Sequence, residues 1–245
     1  MRLTAQGERL FPVVRDSLDR MADAVDALGA AAESEALRVS MNHSFAARWF
    51  LPRLKQAIDE TGLDIVIDAD DAIVDLHAPK VDCAVRYPVE IPKTLTAHRL
   101  FEDSMIAVCA PDLQHTYGDV SLPSHVLAYP LIHYPWKSER RDAPSWARWI
   151  AEAEKVEQGV SDLDIPKGLQ ISEEAHAIEA ALAGQGVVLA SDVEVAGDIR
   201  RGRLMQLSTV SLPGLSFYLV HLREHKRSGD MERLANWIRK TEQAR

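Results

Sequence analysis

This 245-residue chain is poor in the features that would make several functions easy to read. Its two cysteines, Cys83 and Cys109, are too few for a disulfide framework. Each lies in an apolar run ("VDCAV", "IAVCA"), the setting of a reduced thiol in a core strand. No run of about 18 apolar residues occurs, which excludes a membrane-spanning helix. The first residues include Arg2, Glu8, Arg9, Arg15 and Asp16 and hold no short apolar core, so they do not read as a secretory signal, and the expected compartment is the cytoplasm. Positive charge is not in surplus either: 28 basic against 37 acidic residues leave a net charge of −9. The densest basic run, "REHKR" at 223–227, reads as a solvated loop, and a surface of this kind does not grip nucleic acid by its phosphates. No G-x-S-x-G elbow surrounds Ser44, "DADD" (68–71) lacks the spacing of a calcium loop, and "GQG" (184–186) is too short for a nucleotide fingerprint. No cofactor, metal or catalytic centre is expected.

What is present begins at the N-terminus. Phe11, Val14, Leu18, Met21, Val25 and Leu28 follow one another at gaps of three and four, a heptad seam that predicts an oligomerising helix. Thr4 is placed to cap it, and Pro12 should bend it near Glu8 to Pro12. "GAAAESEA" (29–36) then reads as a link.

From Ala36 the pattern alternates between strands and helices. Strands are predicted at 37–41, 64–69, 81–87 and 104–110, then at 129–134, 169–173, 187–191 and 216–222. Helices are predicted at 44–62, 70–78, 143–155, 173–186 and 229–240, with Asp70 as a cap. Repeated βα units with apolar strands predict a largely parallel sheet covered on both faces, divided into two α/β lobes with a cleft between them.

Several stretches together resemble one family. "LTAQGERLFPVVRDSLDRM" looks like the segment that joins the DNA-binding domain to the linker helix in LysR-type transcriptional regulators. "SFAARWFLPRLKQAIDETGLDIVI", "VDCAVRY", "AVCAPDL" and "AALAGQGVVLASDVEVAGDIRRGRL" look like that family's effector-binding domain, in the branch of the glycine-cleavage activator and the β-lactamase regulator. The resemblance implies a two-lobed fold like type-2 periplasmic binding proteins, preceded by a long linker helix. It implies residues 1–34 as linker and dimerisation helix, 35–111 with 213–245 as lobe I, and 112–212 as lobe II, with crossings near Pro111–Leu113 and Leu207–Pro213. It also implies a homodimer or tetramer that reaches promoter DNA only through a winged helix-turn-helix ahead of this helix, a segment the sequence does not contain. The phrase "PVEIPKTL" after Tyr87 departs from the family's glycine-containing loop, so its shape is not carried over.

The expected function is therefore sensing of a small effector in the interlobe cleft. Ser44 opens the first helix, where free amides and the dipole suit a carboxylate. Arg86 and Tyr87 end the third strand, where ligands gather in open α/β sheets, and Arg86 offers a bidentate fork. Ser172 precedes a second helix, beside Glu173 and Glu174, which favour a cationic group on the ligand. His133, Phe45 beside Ser44 and, on the resemblance, Tyr218 complete the expected effector residues, and the expected ligand is a small anionic or amino-acid-like metabolite. A helix cap at Ser44, a structural salt bridge at Arg86, a satisfied His133 and a core Tyr218 are the alternatives left open. A free solute-binding protein of similar fold is the competing function, disfavoured by the heptad helix. An enzyme on the same scaffold is a further one, for which no nucleophile–base pair is visible.

Overall fold

A computed structural model of the chain describes residues 36–72, 74–78, 80–88, 90–135 and 143–243, together with 4, 6–8, 10–15, 17, 18 and 21. The described N-terminal residues are helical from residue 6, and Thr4 caps them by accepting the Gly7 amide at 3.2 Å. Phe11, Val14, Leu18 and Met21 of the seam are exposed, whereas Val25 and Leu28 lie outside the described residues.

Strand β1 (Leu37–Met41) leads into a helical run made of four pieces: α1 (His43–Phe45), a π turn (Ala46–Phe50), a 3-10 turn (Leu51–Arg53) and α2 (Leu54–Thr61). Pro52 explains the break in regularity. Its ring collides with the carbonyl four residues back in a regular α-helix; here the preceding Leu51 amide reaches five residues back, to Ala46. Gly62 closes the run with φ 67°, donating to the Ile58 carbonyl at 2.9 Å.

Strand β2 (Ile65–Ala69) follows, but the predicted helix at 70–78 does not form: the described residues there are turn and irregular backbone. Asp70 accepts the Ala72 amide and Asp75 that of His77, both at 2.9 Å. Such local bonds compete with helix formation. Then come β3 (Cys83–Arg86), β4 (Leu95–Cys109), α3 (Asp112–Tyr117), β5 (Ile132–His133), α4 (Trp146–Ala153) and β6 (Leu169–Gln170). The chain continues through α5 (Glu174–Leu182), β7 (Val188–Ser191), α6 (Asp192–Arg200), β8 (Met205–Leu222) and α7 (Ser228–Gln243). Helix α6 has no counterpart in the sequence-based expectation, and both β4 and β8 begin earlier than predicted.

Among the described residues, six strands form one sheet in the order β2-β1-β3-β8-β4-β7. The β2-β1-β3 part is parallel, but β8 pairs antiparallel with β3 and β4, and β4 antiparallel with β7. The sheet is therefore mixed, not largely parallel. The cause is the long pair β4 and β8, which run side by side past one another. Their register shifts between Arg99 and Phe101 and between Glu102 and Ser104.

Apolar packing changes partners within these two strands. Leu100, Phe217 and Leu219 join a cluster with Met41, Phe45, Trp49, Phe50 and Trp237. Further along, Met105, Ala107, Cys109 and Leu212 join Leu131, Trp146, Trp149 and Leu189. The alternate β4 residues Ile106 and Val108 pack on the opposite face with Ile178, Val188 and Val195, as the period of two requires. Both cysteines are buried and free, and burial raises both thiols, Cys109 to about 12.

Candidate functional site at the junction of the two bodies

The first helical run packs against α5 and α6, and the start of α6 lies beside the register shift of β4 at Asp103. Ser191 and Glu194 frame the start of α6 in an S-x-x-E pattern. The Ser191 hydroxyl accepts the Glu194 amide at 3.3 Å and donates to Asp103 Oδ1 at 2.8 Å. Tyr87 donates to Asp103 Oδ2 at 3.0 Å and accepts the Leu215 amide at 2.5 Å. Ser44 donates to Glu194 Oε2, a bond 150 residues apart in sequence. The result is one polar chain, Tyr87–Asp103–Ser191–Glu194–Ser44, across the place where the apolar clusters divide. Gly214 lies against it: a Cβ there would meet the Tyr87 hydroxyl and come within 2.7 Å of the Asp103 carbonyl.

These carboxyls are held toward their neutral forms. Burial raises Asp103 well above the usual carboxylate range, helped by its bond to Asp192 and opposed by Ser191. Burial also raises Glu194, and the Glu174 charge adds to it. Glu174 keeps some solvent access yet is pushed up to about 7, chiefly by burial, against the stabilising Ser191 amide and Tyr134 hydroxyl. One turn further, buried Arg48 pairs with Asp198 at 2.8 Å and with exposed Glu179 at 2.5 Å, and Arg203 takes the other Asp198 oxygen.

The other expected residues are placed as follows. Arg86 and Ser44 share the carboxyl edge of β1 and β3 but not a face. Arg86 donates to Ser40 Oγ at 2.8 Å and to the Val85 carbonyl at 2.9 Å, on the side away from Val39 and Met41. Burial lowers its pKa, opposed by Asp70, Asp71 and Asp68. Tyr218 stands opposite Arg86 in the ladder and packs with Ala84 and Val220. His133 sits 3.1 Å from the Pro166 carbonyl, and Ser172 is exposed. Phe45 departs from the expectation: its ring is fully buried, stacked on Trp49 at 5.1 Å, and offers no surface to a ligand. Ser44, Arg86 and Ser172 share no hydrogen-bond partner: Ser44 bonds Glu194, and Arg86 bonds Ser40 across the carboxyl edge of the sheet.

Asp103, Ser191, Glu194 and Arg48 were not singled out in the sequence. The signals were an acid inside an apolar strand ("FEDSMIAV") and the capping pattern "SDVE".

Comparison with known proteins now decides the class. Residues 30–243 match the LysR substrate binding domain. The chain belongs to this family. LysR-family relatives align along nearly its whole length. The Glycine cleavage system transcriptional activator of Escherichia coli K12 is 28% identical over 238 residues, covering 96% of this chain and 74% of that protein. Among solved structures, the AmpR effector binding domain from Citrobacter freundii shares the fold with TM-score 0.67 at 21% identity, over 86% of this chain and all of that one. The effector domain of the transcriptional regulator AmpR of Pseudomonas aeruginosa gives 0.66 at 21%, over 85% of this chain and 96% of that one. The fold is that of LysR effector-binding domains, two α/β bodies in the manner of periplasmic binding proteins.

Proposed function

We propose that these residues form the effector-sensing and oligomerising part of a LysR-type transcriptional regulator, with no catalytic activity of their own. The polar chain from Tyr87 to Ser44 is the observation that carries this reading. It joins both bodies by hydrogen bonds that a ligand can replace, so a ligand entering there acts on how the bodies sit. Differential contact of this kind is what lets an effector shift a conformational equilibrium. The first body is drawn as 36–102 with 216–243 and the second as 104–213, which moves the first crossing from Pro111–Leu113 into β4 at Asp103.

The effector is a small amino-acid-like metabolite. Partly accessible Glu174 suits an ammonium group, while Arg86 and the helix starts at Ser44 and Ser172 suit a carboxylate. Ser44, Arg86, Ser172, His133 and Tyr218 are the contacts, and Tyr87 braces the junction. Thermal-shift screening of amino acids and small carboxylates tests this. A true effector at a hundredfold excess over Kd stabilises the fold by about 2.7 kcal/mol, and Ser44→Ala or Tyr218→Phe weakens it. A hit indifferent to both substitutions overturns the site.

The exposed stripe of Phe11, Val14, Leu18 and Met21 supports a homodimer or tetramer built on the N-terminal helix. Light scattering that finds a monomer at roughly tens of micromolar, within the range of specific association, overturns that part. Net charge −9 disfavours direct gripping of duplex DNA by these residues. A sequence-dependent gel shift with this chain alone contradicts that.

A further inference from the structure

We propose that the crevice between the π turn and helices α5 and α6 is a second ligand site, separate from the effector contacts above, and that it takes a short dicarboxylate. A cavity of about 390 Å³ opens there, lined by Arg48, Glu179, Glu194, Asp198, Arg201 and Arg203 among others, and by none of the proposed effector residues. Its size falls in the range of small-molecule sites, roughly 300–1,000 Å³. Its walls come from both bodies: Arg48 belongs to the first helical run, the remaining charged residues to α5, α6 and the turn after them.

The charge count favours an anion. Three arginines, Arg48, Arg201 and Arg203, line it with the acids Asp198, Glu179 and Glu194, and Glu194 is engaged by the Ser44 hydroxyl and held toward neutrality by burial. Asp198 is fully committed, one oxygen to Arg48 and the other to Arg203. Glu179 is different. Its side chain is 69% exposed while Arg48 is 9% exposed, so a solvent-facing carboxylate covers the guanidinium from the cavity side. A ligand carboxylate can take its place on Arg48. Arg201 makes no ion pair among the described residues. Its guanidinium lies back over Gly197, 3.4 Å from where a Cβ would be. Two guanidinium groups, Arg48 through its Nη2 on one body and Arg201 on the other, match two carboxylates joined by a short linker. A monocarboxylate satisfies one of them only. A ligand spanning both would tie the π turn to the end of α6 and so hold the bodies in one arrangement.

The inference stands whether or not Ser44 and Tyr218 contact an effector. Isothermal titration of the full chain with succinate, and with malonate and glutarate as shorter and longer homologues, tests it. The expected result is saturable one-to-one binding of at least one of the three, at least tenfold tighter than propionate. Arg201→Ser, at an exposed position, should weaken binding at least tenfold, whereas Arg200→Ser, which removes the same charge outside the cavity, should leave it within twofold. Glu179→Gln should tighten binding severalfold by uncovering Arg48, and Glu60→Gln, an equal charge change at a distant exposed site, should not. Failure of all three dicarboxylates to bind overturns the proposal, as does equal loss in Arg200→Ser and Arg201→Ser. Binding that survives Arg201→Ser but is lost in Ser44→Ala and Tyr218→Phe also overturns it, by moving the dicarboxylate to the effector contacts, and leaves the effector reading standing.

Discussion

Ser44 and Phe45 are neighbours in sequence and belong to opposite kinds of matter. Phe45 is clasped by Trp49, Phe101 and Phe217, in a dry aromatic cluster that Trp237 closes edge-on against Trp49 at 5.9 Å. Ser44 enters a chain of carboxyls and hydroxyls whose members need protons to stay buried. The aromatic cluster is over-determined, since each ring has several ring partners and its polar atoms are few: Trp49 Nε1 donates to Glu242 at 2.6 Å, and Trp237 Nε1 is buried without an acceptor among the described residues. The junction is conditional, since its bonds depend on protonation and each can be exchanged for a ligand's. A sensor needs both: a body that does not deform and a seam that does.

The largest effect that would break this contrast lies in the aromatic cluster. Trp49→Ala should cost about 3–5 kcal/mol of stability, the range for a large aromatic in a packed core, read by urea denaturation. A loss below about 1 kcal/mol would mean the cluster is no more rigid than the seam.

The next effect is set by pH. The folded values of Asp103, Glu174 and Glu194 lie above their ordinary ones, so between those values the folded state holds protons that the unfolded chain has released. Stability conferred by these protons is present below the ordinary carboxylate range and is lost as pH rises, for Glu174 between 4.5 and about 7. The slope is about 1.4 kcal/mol per pH unit for each proton concerned. Glu174→Gln should flatten the fall in melting temperature between about pH 5 and 7, while Trp49→Ala should lower the whole curve without changing its slope. A flat wild-type profile would remove the conditional character given to the junction.

A smaller loss, about 1–3 kcal/mol, is expected for Tyr87→Phe, which leaves the Leu215 amide and an Asp103 oxygen without a partner. Smallest of all is the response of the thiols. Cys83 and Cys109 are buried and raised away from thiolate, so a thiol reagent added to the folded chain should modify neither, and both should react once it is unfolded.

Much of the fold was legible because it follows from periodicity. β1 matches its predicted bounds, Gly62 ends its helix by adopting φ 67°, and Thr4 caps where a hydroxyl before a helix should. The misses have physical reasons. "DADDAIVDLHA" carries helix-compatible residues, but Asp70 and Asp75 spend their side chains on local amides. A parallel sheet was expected because each strand was read with the helix after it, whereas β8 returns along β4 through pairings more than a hundred residues apart, such as Leu95 with Leu222. At the candidate site, helix starts and strand ends could be read, but side-chain direction could not. Ser40 and Arg86 share one sheet face while Met41 points to the other. Nor did Ser44 disclose its partner, because no helix was expected at 192–200 and Glu194 lies 150 residues away.

The double passage of the chain through β4 and β8 also orders events during synthesis. The first cluster draws on residues 37–101, on Val193 of α6, and on residues 217–238, which include Leu234, Trp237 and Ile238 of α7. The second draws only on residues 105–212. On a ribosome, the 105–212 cluster can therefore condense while the earlier half of its neighbour still waits for β8 and α7. A chain halted before residue 217 leaves Phe45, Trp49 and Phe50 without Phe217 and Trp237, so β8 and α7 are the pieces on which closure of the first cluster waits.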